Sequence, residues 1–363
     1  MNDKDYMTLA IDLARRGGGY VNPNPQVGAV IVRDGVIIGQ GYHEKCGELH
    51  AERNALASCT TDPRGATMYV TLEPCCHYGK TPPCTAAIIE KGIARVVIGS
   101  RDPNPKVSGK GAEQLRAAGI EVVRDFMQGE CDELNAIFFH YITKGRPLVT
   151  MKYAMTMDGK IATHTGASKW ISCEASRIHT HEARARNMAI MVGLGTVVND
   201  DPSLTARAGI GPDPLRIVCD SNLYTPLSAK IVGPGTIIAT CESDVDKCRK
   251  FTEKGAEVLT LGRNKNGQVD LCELIAALGE RKIDSLIIEG GSTLNWSALE
   301  AGIVDKLQVY VATKVFGGAE AKSPVGGPGV ELPDYAFKLQ NTRITNIESD
   351  ILIESQVIPC SQG

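Results

Sequence analysis

The sequence predicts two α/β domains, and three observations carry that prediction. The chain has 363 residues, more than the roughly 100–200 of a single domain. Short β-rich apolar runs alternate with amphipathic stretches along its length, the pattern of sheets covered by helices. At Gly145-Arg146-Pro147 glycine and proline end a helical pattern and free the backbone for a strand. The expected domains are therefore 1–145 and 146–363.

The elements follow in chain order. Asp5 to Arg16 reads as a helix stopped by Gly17-Gly18-Gly19. Val27 to Val32 and Val36 to Gly41 are strands joined by an Asp34-Gly35 hairpin turn. Ala51 to Ser58, Thr85 to Lys91 and Gly111 to Ala118 read as helices, with strands at Thr67 to Leu72 and Arg95 to Gly99. One long amphipathic stretch, Glu130 to Lys144, closes the first domain, a mixed sheet with flanking helices. In the second, strands are expected at Leu148 to Met155, Met188 to Gly193, Leu215 to Cys219, Thr236 to Ala239, Val258 to Leu261, Ser285 to Glu289 and Lys306 to Ala312. Helices are expected at Cys173 to Asn187, Ser243 to Lys254, Leu271 to Glu280 and Thr293 to Ala301.

Composition removes several function classes. Lys plus Arg is 39 and Asp plus Glu 42, a net charge of −3, and aromatics are 5%. Such a chain lacks the basic, stacking-rich surface of a nucleic-acid binder. At 43% hydrophobic and 22% charged residues it has the makings of a globular core. No apolar run approaches the ~20 residues of a membrane helix, and the first residues show no secretory signal, so the cytoplasm is the expected location. Twelve cysteines in such a setting read as reduced thiols, some of them metal ligands. Cys46, Cys59, Cys131, Cys173, Cys219, Cys241, Cys248, Cys272 and Cys360 are scattered singly and read as small buried or surface residues.

The chemistry concentrates at His50-Ala51-Glu52, Pro74-Cys75 and Cys84. A hydrolytic zinc ion takes three imidazole or thiolate ligands and leaves a fourth position to water. His50, Cys75 and Cys84 supply that set, with Cys76 the alternative to Cys75 and a closed structural zinc the competing reading. Glu52 suits a proton shuttle beside such an ion, whose bound water has a pKa near 7. Thr81-Pro82-Pro83-Cys84 reads as a helix start with Thr81 as cap and proline in the first turn. The arrangement is related to the H-x-E…P-C-x-x-C signature of zinc nucleobase deaminases, but eight residues rather than two separate Cys75 from Cys84.

With that longer loop, Glu73 to Cys84 resembles the deaminase half of the bifunctional riboflavin-biosynthesis deaminase/reductase family. Asn22 to Gly28, His50-Ala51-Glu52 and Asp102-Pro103-Asn104-Pro105 match as well. The second half resembles that family's reductase, similar in fold to dihydrofolate reductase, through Met155 to Lys160, Ser168 to Ile171, Thr196 to Pro202, Leu204 to Arg207 and Glu289-Gly290-Gly291. The resemblance covers nearly the whole chain. It implies a cytidine-deaminase-like first domain with one zinc ion and a dihydrofolate-reductase-like second domain using NADPH. The implied reactions are deamination of 2,5-diamino-6-ribosylamino-4(3H)-pyrimidinone 5′-phosphate, then reduction of the resulting ribosylamino-uracil phosphate to its ribityl form.

The resemblance also implies roles. Asn24 would contact base or ribose, and His43, His77 and Lys80 would gather around the 5′-phosphate. Ala154, Trp170, Thr196, Asp200, Ser221 and the stretch Gly291, Ser292, Thr293, Leu294, Asn295, Trp296 and Ser297 would hold NADPH. Ser168, Arg184, Leu204, Arg207 and Glu289 would hold the sugar phosphate, the two arginines by gripping phosphate with a guanidinium fork. Lys152 and Asp200 are candidates to place a proton in the reduction. No GxGxxG is present, and Gly193-Leu194-Gly195-Thr196 and Glu289-Gly290-Gly291 are the glycine-bearing strand-to-helix junctions. Tyr224 stands where a basic residue for a 2′-phosphate would be sought. Arg15 and Arg16 read as a solvated helix face, and His140, His164, His179 and His181 as structural. Two competing readings are a single nucleotide or tRNA deaminase with an accessory domain and a zinc-stabilised nucleotide-binding regulator. The expected partners are small pyrimidine ribosyl phosphates, not nucleic acid or membrane; a homo-oligomer stays open.

Overall fold

The computed structural model describes residues 1–77, 82–104, 107–207, 209 and 211–358. The chain divides into two compact units, Met1–Gly145 and Arg146–Gly363.

The first unit opens with α1 (Asp3–Arg15), started by a capping box in which Asn2 and Asp5 exchange side-chain-to-backbone bonds of 2.8 and 3.1 Å. β1 (Gly28–Arg33) and β2 (Val36–Tyr42) form the hairpin expected at Asp34-Gly35. After them come α2 (Ala51–Ala57), β3 (Thr67–Leu72), α3 (Cys84–Glu90), β4 (Arg95–Ser100), α4 (Lys110–Ala117) and β5 (Glu121–Val123). The sheet runs β2-β1-β3-β4-β5, with β1 antiparallel to both neighbours and the last three strands parallel. Alternate residues of β1 feed two cores. Ala29 and Ile31 pack with Ala55, Ile88 and Leu115, while Val30 and Val32 pack with Tyr6, Met7 and Ile11 of α1. Burial on both faces explains why this strand reads as an unbroken apolar run.

Two local expectations need correction. The Glu130 to Lys144 stretch is not one helix but two, α5 (Gln128–Leu134) and α6 (Ala136–Lys144). The break falls at Asn135, whose buried side chain accepts from the Gln26 amide at 2.8 Å and donates to the Gln26 carbonyl at 3.0 Å. Asparagine trades helical regularity for such bonds, and here it ties down the segment that carries Asn24. The start of α3 also differs. Pro83 is the cap residue and offers no side-chain bond, so the prolines lie outside the helix, and Thr81 lies outside the described residues.

The second unit contains β6 (Leu148–Thr156), α7 (Glu174–Arg186), β7 (Ala189–Gly193), α8 (Leu194–Asp200), β8 (Leu215–Cys219), β9 (Thr236–Thr240), α9 (Val245–Thr252), β10 (Glu257–Thr260), α10 (Leu271–Glu280), β11 (Ser285–Ile288), α11 (Ser292–Glu300), β12 (Lys306–Ala312), β13 (Leu339–Ile347) and β14 (Asp350–Val357). Its sheet runs β10-β9-β8-β7-β11-β6-β12-β14-β13. The strands from β10 to β12 are parallel, and β14 and β13 extend the sheet antiparallel. In β7, Ala189 and Met191 enter one core, Ile190 and Val192 the other. From β7 the chain steps outward through β8, β9 and β10, then returns to insert β11 between β7 and β6. The carboxyl ends of β7 and β11 flank that reversal, where open α/β sheets bind their ligands. Among the described residues no helix is long and apolar enough to cross a membrane.

Candidate active sites

Three structural elements of the first unit converge on one cluster. His50 is the residue before the first turn of α2, Cys75 lies three residues beyond the end of β3, and Cys84 is the first residue of α3. His50 Nδ1 stands 3.6 Å from Cys75 Sγ and 3.4 Å from Cys84 Sγ, and the three donor atoms all lie within 4.8 Å of one another. A tetrahedral zinc with bonds of ~2.0 Å to nitrogen and ~2.3 Å to sulfur sets its donors about 3.5 Å apart, so the donor set and its spacing both fit. Cys75, not Cys76, is the thiol in the cluster. The Cys84 amide donates to Cys75 Sγ at 3.4 Å. Hydrogen bonding from Cys84, joined by His50, outweighs burial and holds the Cys75 thiol well below the ordinary range. Its partner Cys84, fully buried, is pushed up by the same interaction.

Glu52 sits two residues into α2's start, buried at 4% exposure, with its carboxylate against the Cys84 thiol. Burial, then the charge of Cys75, raises its pKa, which suits a group that must both take and release a proton. A cavity of about 320 Å³ opens beside it, walled by Asn24, His43, His50, Glu52, Cys75 and His77. Cys84 lies behind that wall, so the cluster meets the cavity on one side only.

Of the implied deaminase contacts, Asn24 and His77 are on the wall, His77 exposed, and Lys80 lies outside the described residues. His43 is a correction. Its Nδ1 faces the Leu49 carbonyl at 3.0 Å and its Nε2 the Asn24 amide at 3.2 Å. With Nδ1 donating, Nε2 accepts and the ring is neutral; burial lowers its pKa further. His43 therefore orients Asn24 rather than supplying a cation to a phosphate. Sequence reasoning passed over Asp102 and Asn104 as site residues, yet both line the cavity. Burial lifts the Asp102 pKa to about 6.

The second unit holds a larger cavity, about 940 Å³, at the carboxyl ends of β7 and β11. Gly193 ends β7, while Gly290 and Gly291 follow β11 at φ of +114° and +63°. That backbone needs glycine, and it turns the chain so that Gly291 caps α11, whose first turn lines the cavity. Lys152, Ala154, Ser168, Thr196, Asp200, Ser221, Glu289, Gly291, Ser292, Thr293, Leu294, Asn295 and Ser297 all lie on the wall. Asn295 is 2% exposed, donates to the Pro324 carbonyl at 2.8 Å, and among the described residues its buried Oδ1 has no partner. Unpaired amides at a helix start suit a phosphate, and the orphaned Asn295 acceptor suits an N–H or O–H of the same polar cofactor.

Five residues expected in this site are not on its wall. Trp296 is turned away against Phe337, with ring centres 5.9 Å apart. Trp170 is 59% exposed beneath the Arg177 guanidinium. Leu204 is buried in the core with Val197 and Leu223, and Arg207 is exposed. Arg184 has its fork occupied, because Nε and Nη2 donate to Glu289 at 2.7 and 2.8 Å and Nη1 to the Thr205 carbonyl at 3.1 Å. In this structure its guanidinium is directed at Glu289. Conversely His164, read as structural, lies on the wall.

Glu289 joins the two cations. Lys152 Nζ lies 3.7 Å from its Oε2, and all three side chains are largely buried. Burial alone would raise the Glu289 pKa, but Lys152 and Arg184 prevail and hold it at about 2. Burial pushes Lys152 down, with Glu289 opposing.

These two sites define the class: a zinc-binding deaminase region joined to a pyrimidine reductase. Residues 1–100 match the cytidine and deoxycytidylate deaminase zinc-binding region, and residues 147–353 match the RibD C-terminal domain. The riboflavin biosynthesis protein RibD of Actinobacillus pleuropneumoniae is 52% identical over 362 residues, 99% of this chain and 96% of that protein. RibD of Aquifex aeolicus is 45% identical over 356 residues, 97% of each. The crystal structure of a diaminohydroxyphosphoribosylaminopyrimidine deaminase/5-amino-6-(5-phosphoribosylamino)uracil reductase from Thermotoga maritima is similar, with a TM-score of 0.85 and 40% identity. It covers 98% of this chain and 99% of that one. The chain belongs to the RibD family of riboflavin biosynthesis proteins.

Proposed function

We propose that the first unit hydrolytically deaminates a diaminopyrimidine ribosyl phosphate and the second reduces the ribosylamino product with NADPH. The observation that carries the first half is Glu52, buried next to a three-donor cluster that opens on a cavity. Zinc, when bound there by His50, Cys75 and Cys84, supplies the Lewis acidity that makes water nucleophilic at neutral pH. Glu52 takes a proton from the attacking water, delivers it to the ring nitrogen, and later protonates the departing amine. Water contributes the oxygen, and ammonia leaves. Asn24, held by His43, orients the substrate at the opposite wall, and His77 with Lys80 serves its phosphate.

In the second unit the amides of α11, with Asn295 and Thr196, bind the cofactor, and Ser221 meets its outer end. NADPH, when bound, supplies hydride equivalents to the ribose carbon. Lys152 Nζ holds the proton that the opening ring oxygen takes up, and Glu289, itself braced by Arg184, keeps that ammonium in place. Asp200, exposed at the end of α8, serves as a cofactor contact in this scheme.

Incubating the purified full chain with the diaminopyrimidine ribosyl phosphate, with and without NADPH, tests both halves. Ammonia release in both samples, plus NADPH oxidation in the second, is the expected result. Ammonia without oxidation would remove the reductase half, and neither would remove both.

A further inference from the structure

Two loops meet at one end of the second unit's cavity. The one after β8 carries Asp220, Ser221 and Asn222; the one after β10 runs from Leu261 to Asp270. The latter is a tight hairpin, bridged at Arg263 and Val269 and closed by Asn264 donating to the Gln268 carbonyl at 2.7 Å. It is pinned to the first loop where the Val269 amide donates to Ser221 Oγ at 3.1 Å. Arg263 crosses the same seam: Nη2 donates to Asn222 Oδ1 at 2.9 Å and to the Ser221 carbonyl at 3.4 Å, and Nη1 to the Gly267 carbonyl.

All three acceptors are neutral. Among the described residues Arg263 makes no ion pair, and it is exposed. Ser221, Asn222 and Gly267 are on the cavity wall; Arg263 itself is not, but its exposed guanidinium is bonded to all three, directly behind that stretch of wall. β8 is the strand next to β7, one step outward from the reversal. A dinucleotide lying across such a reversal extends its adenosine ribose toward this position. There an acid facing the ribose selects the free 2′-hydroxyl, and a nearby arginine accommodates a 2′-phosphate.

The acid at that position, Asp220, also borders the cavity, but its carboxylate is engaged within its own turn. It is 2% exposed and accepts from the amides of Asn222 and Thr225 and the Thr225 hydroxyl. Among the described residues, the charged side chain bonded to this loop from outside it is Arg263, contributed from 42 residues further along the chain than Ser221, while Tyr224 on the wall is a phenol.

We propose that Arg263 reads the 2′-phosphate and makes the second unit prefer NADPH over NADH. The proposal rests on the cofactor reading above. The test is equilibrium binding of NADPH, NADH, adenosine 2′,5′-bisphosphate and AMP to the full chain and to its Arg263→Gln and Arg263→Lys variants, by calorimetry. Arg263→Gln is expected to weaken NADPH and the bisphosphate by on the order of tenfold to a hundredfold. NADH and AMP should change by less than about twofold, and Arg263→Lys should recover part of the loss. Equal weakening of phosphorylated and unphosphorylated ligands would reduce Arg263 to a brace between loops and overturn the proposal, as would unchanged NADPH binding. An unsubstituted chain that binds neither dinucleotide would overturn the cofactor reading itself, and this proposal with it.

Discussion

Replacing Glu52 with alanine is expected to leave one zinc per chain and lower deamination by about two to four orders of magnitude. The carboxylate is placed by α2 so that it lies beside the donor cluster, touching the Cys84 thiol, without being one of the three clustered ligand groups. Removing it therefore subtracts proton transfer and not metal affinity. Glu52→Gln, which keeps the shape but cannot take a proton, should lose as much. Zinc content and ammonia release measured on the same preparations check the point. A variant that sheds its metal would make Glu52 a ligand, and one with near-normal turnover would remove it from the chemistry.

The second large effect is expected at Glu289. Glu289→Gln leaves Lys152 and Arg184 facing each other in a largely buried space with no anion between them. Breaking a buried pair by removing one partner costs about 3–5 kcal/mol, so unfolding of the second unit in urea should shift by that amount, and reduction should be lost while deamination persists. The acid limb should change too. Folding depresses the Glu289 pKa from 4.5 to about 2. Its contribution is therefore complete above pH 4.5 and is lost as pH falls from there through 2. The glutamine variant should lack that part of the acid-induced loss. Stability within about 1 kcal/mol of the unsubstituted chain, with the same acid profile, would mean the two cations do not depend on this carboxylate.

The legibility of these sites in the sequence follows their chemistry. His50, Glu52, Cys75 and Cys84 could be found because a hydrolytic metal site demands particular donors, and all four fall within 35 consecutive residues. Strands buried on both faces, such as β1 and β7, were equally plain because an unbroken apolar run between turn residues has few other uses. β13 and β14 were not expected; for β13 the reason is exposure, whereas β14 is mostly buried or half-buried and was simply not read. Nearly every residue of β13 faces solvent, so its hydrophobic alternation is weak and its pairing comes from β14. The turn at Glu348-Ser349 and the apolar Ile351-Leu352-Ile353 after it were the available signal. The α5–α6 break was hidden because Asn135 takes its partner from Gln26, 109 residues earlier. Pairing also bears on two residues expected at phosphates. His43 and Arg184 have the right residue types for a phosphate, but their hydrogen-bonding faces are taken by Leu49, Asn24 and Glu289. Residue type alone cannot show whether a donor is free. Arg263 was missed because no motif surrounds it and only the meeting of two loops gives it a role; its terminal nitrogens are bonded as well, but to neutral acceptors.

X-ray absorption at the zinc edge of the metal-loaded full chain tests the central claim most directly. The account predicts one nitrogen and two sulfur neighbours plus a light atom that exchanges with solvent. Four protein donors, with nothing exchangeable, would contradict it.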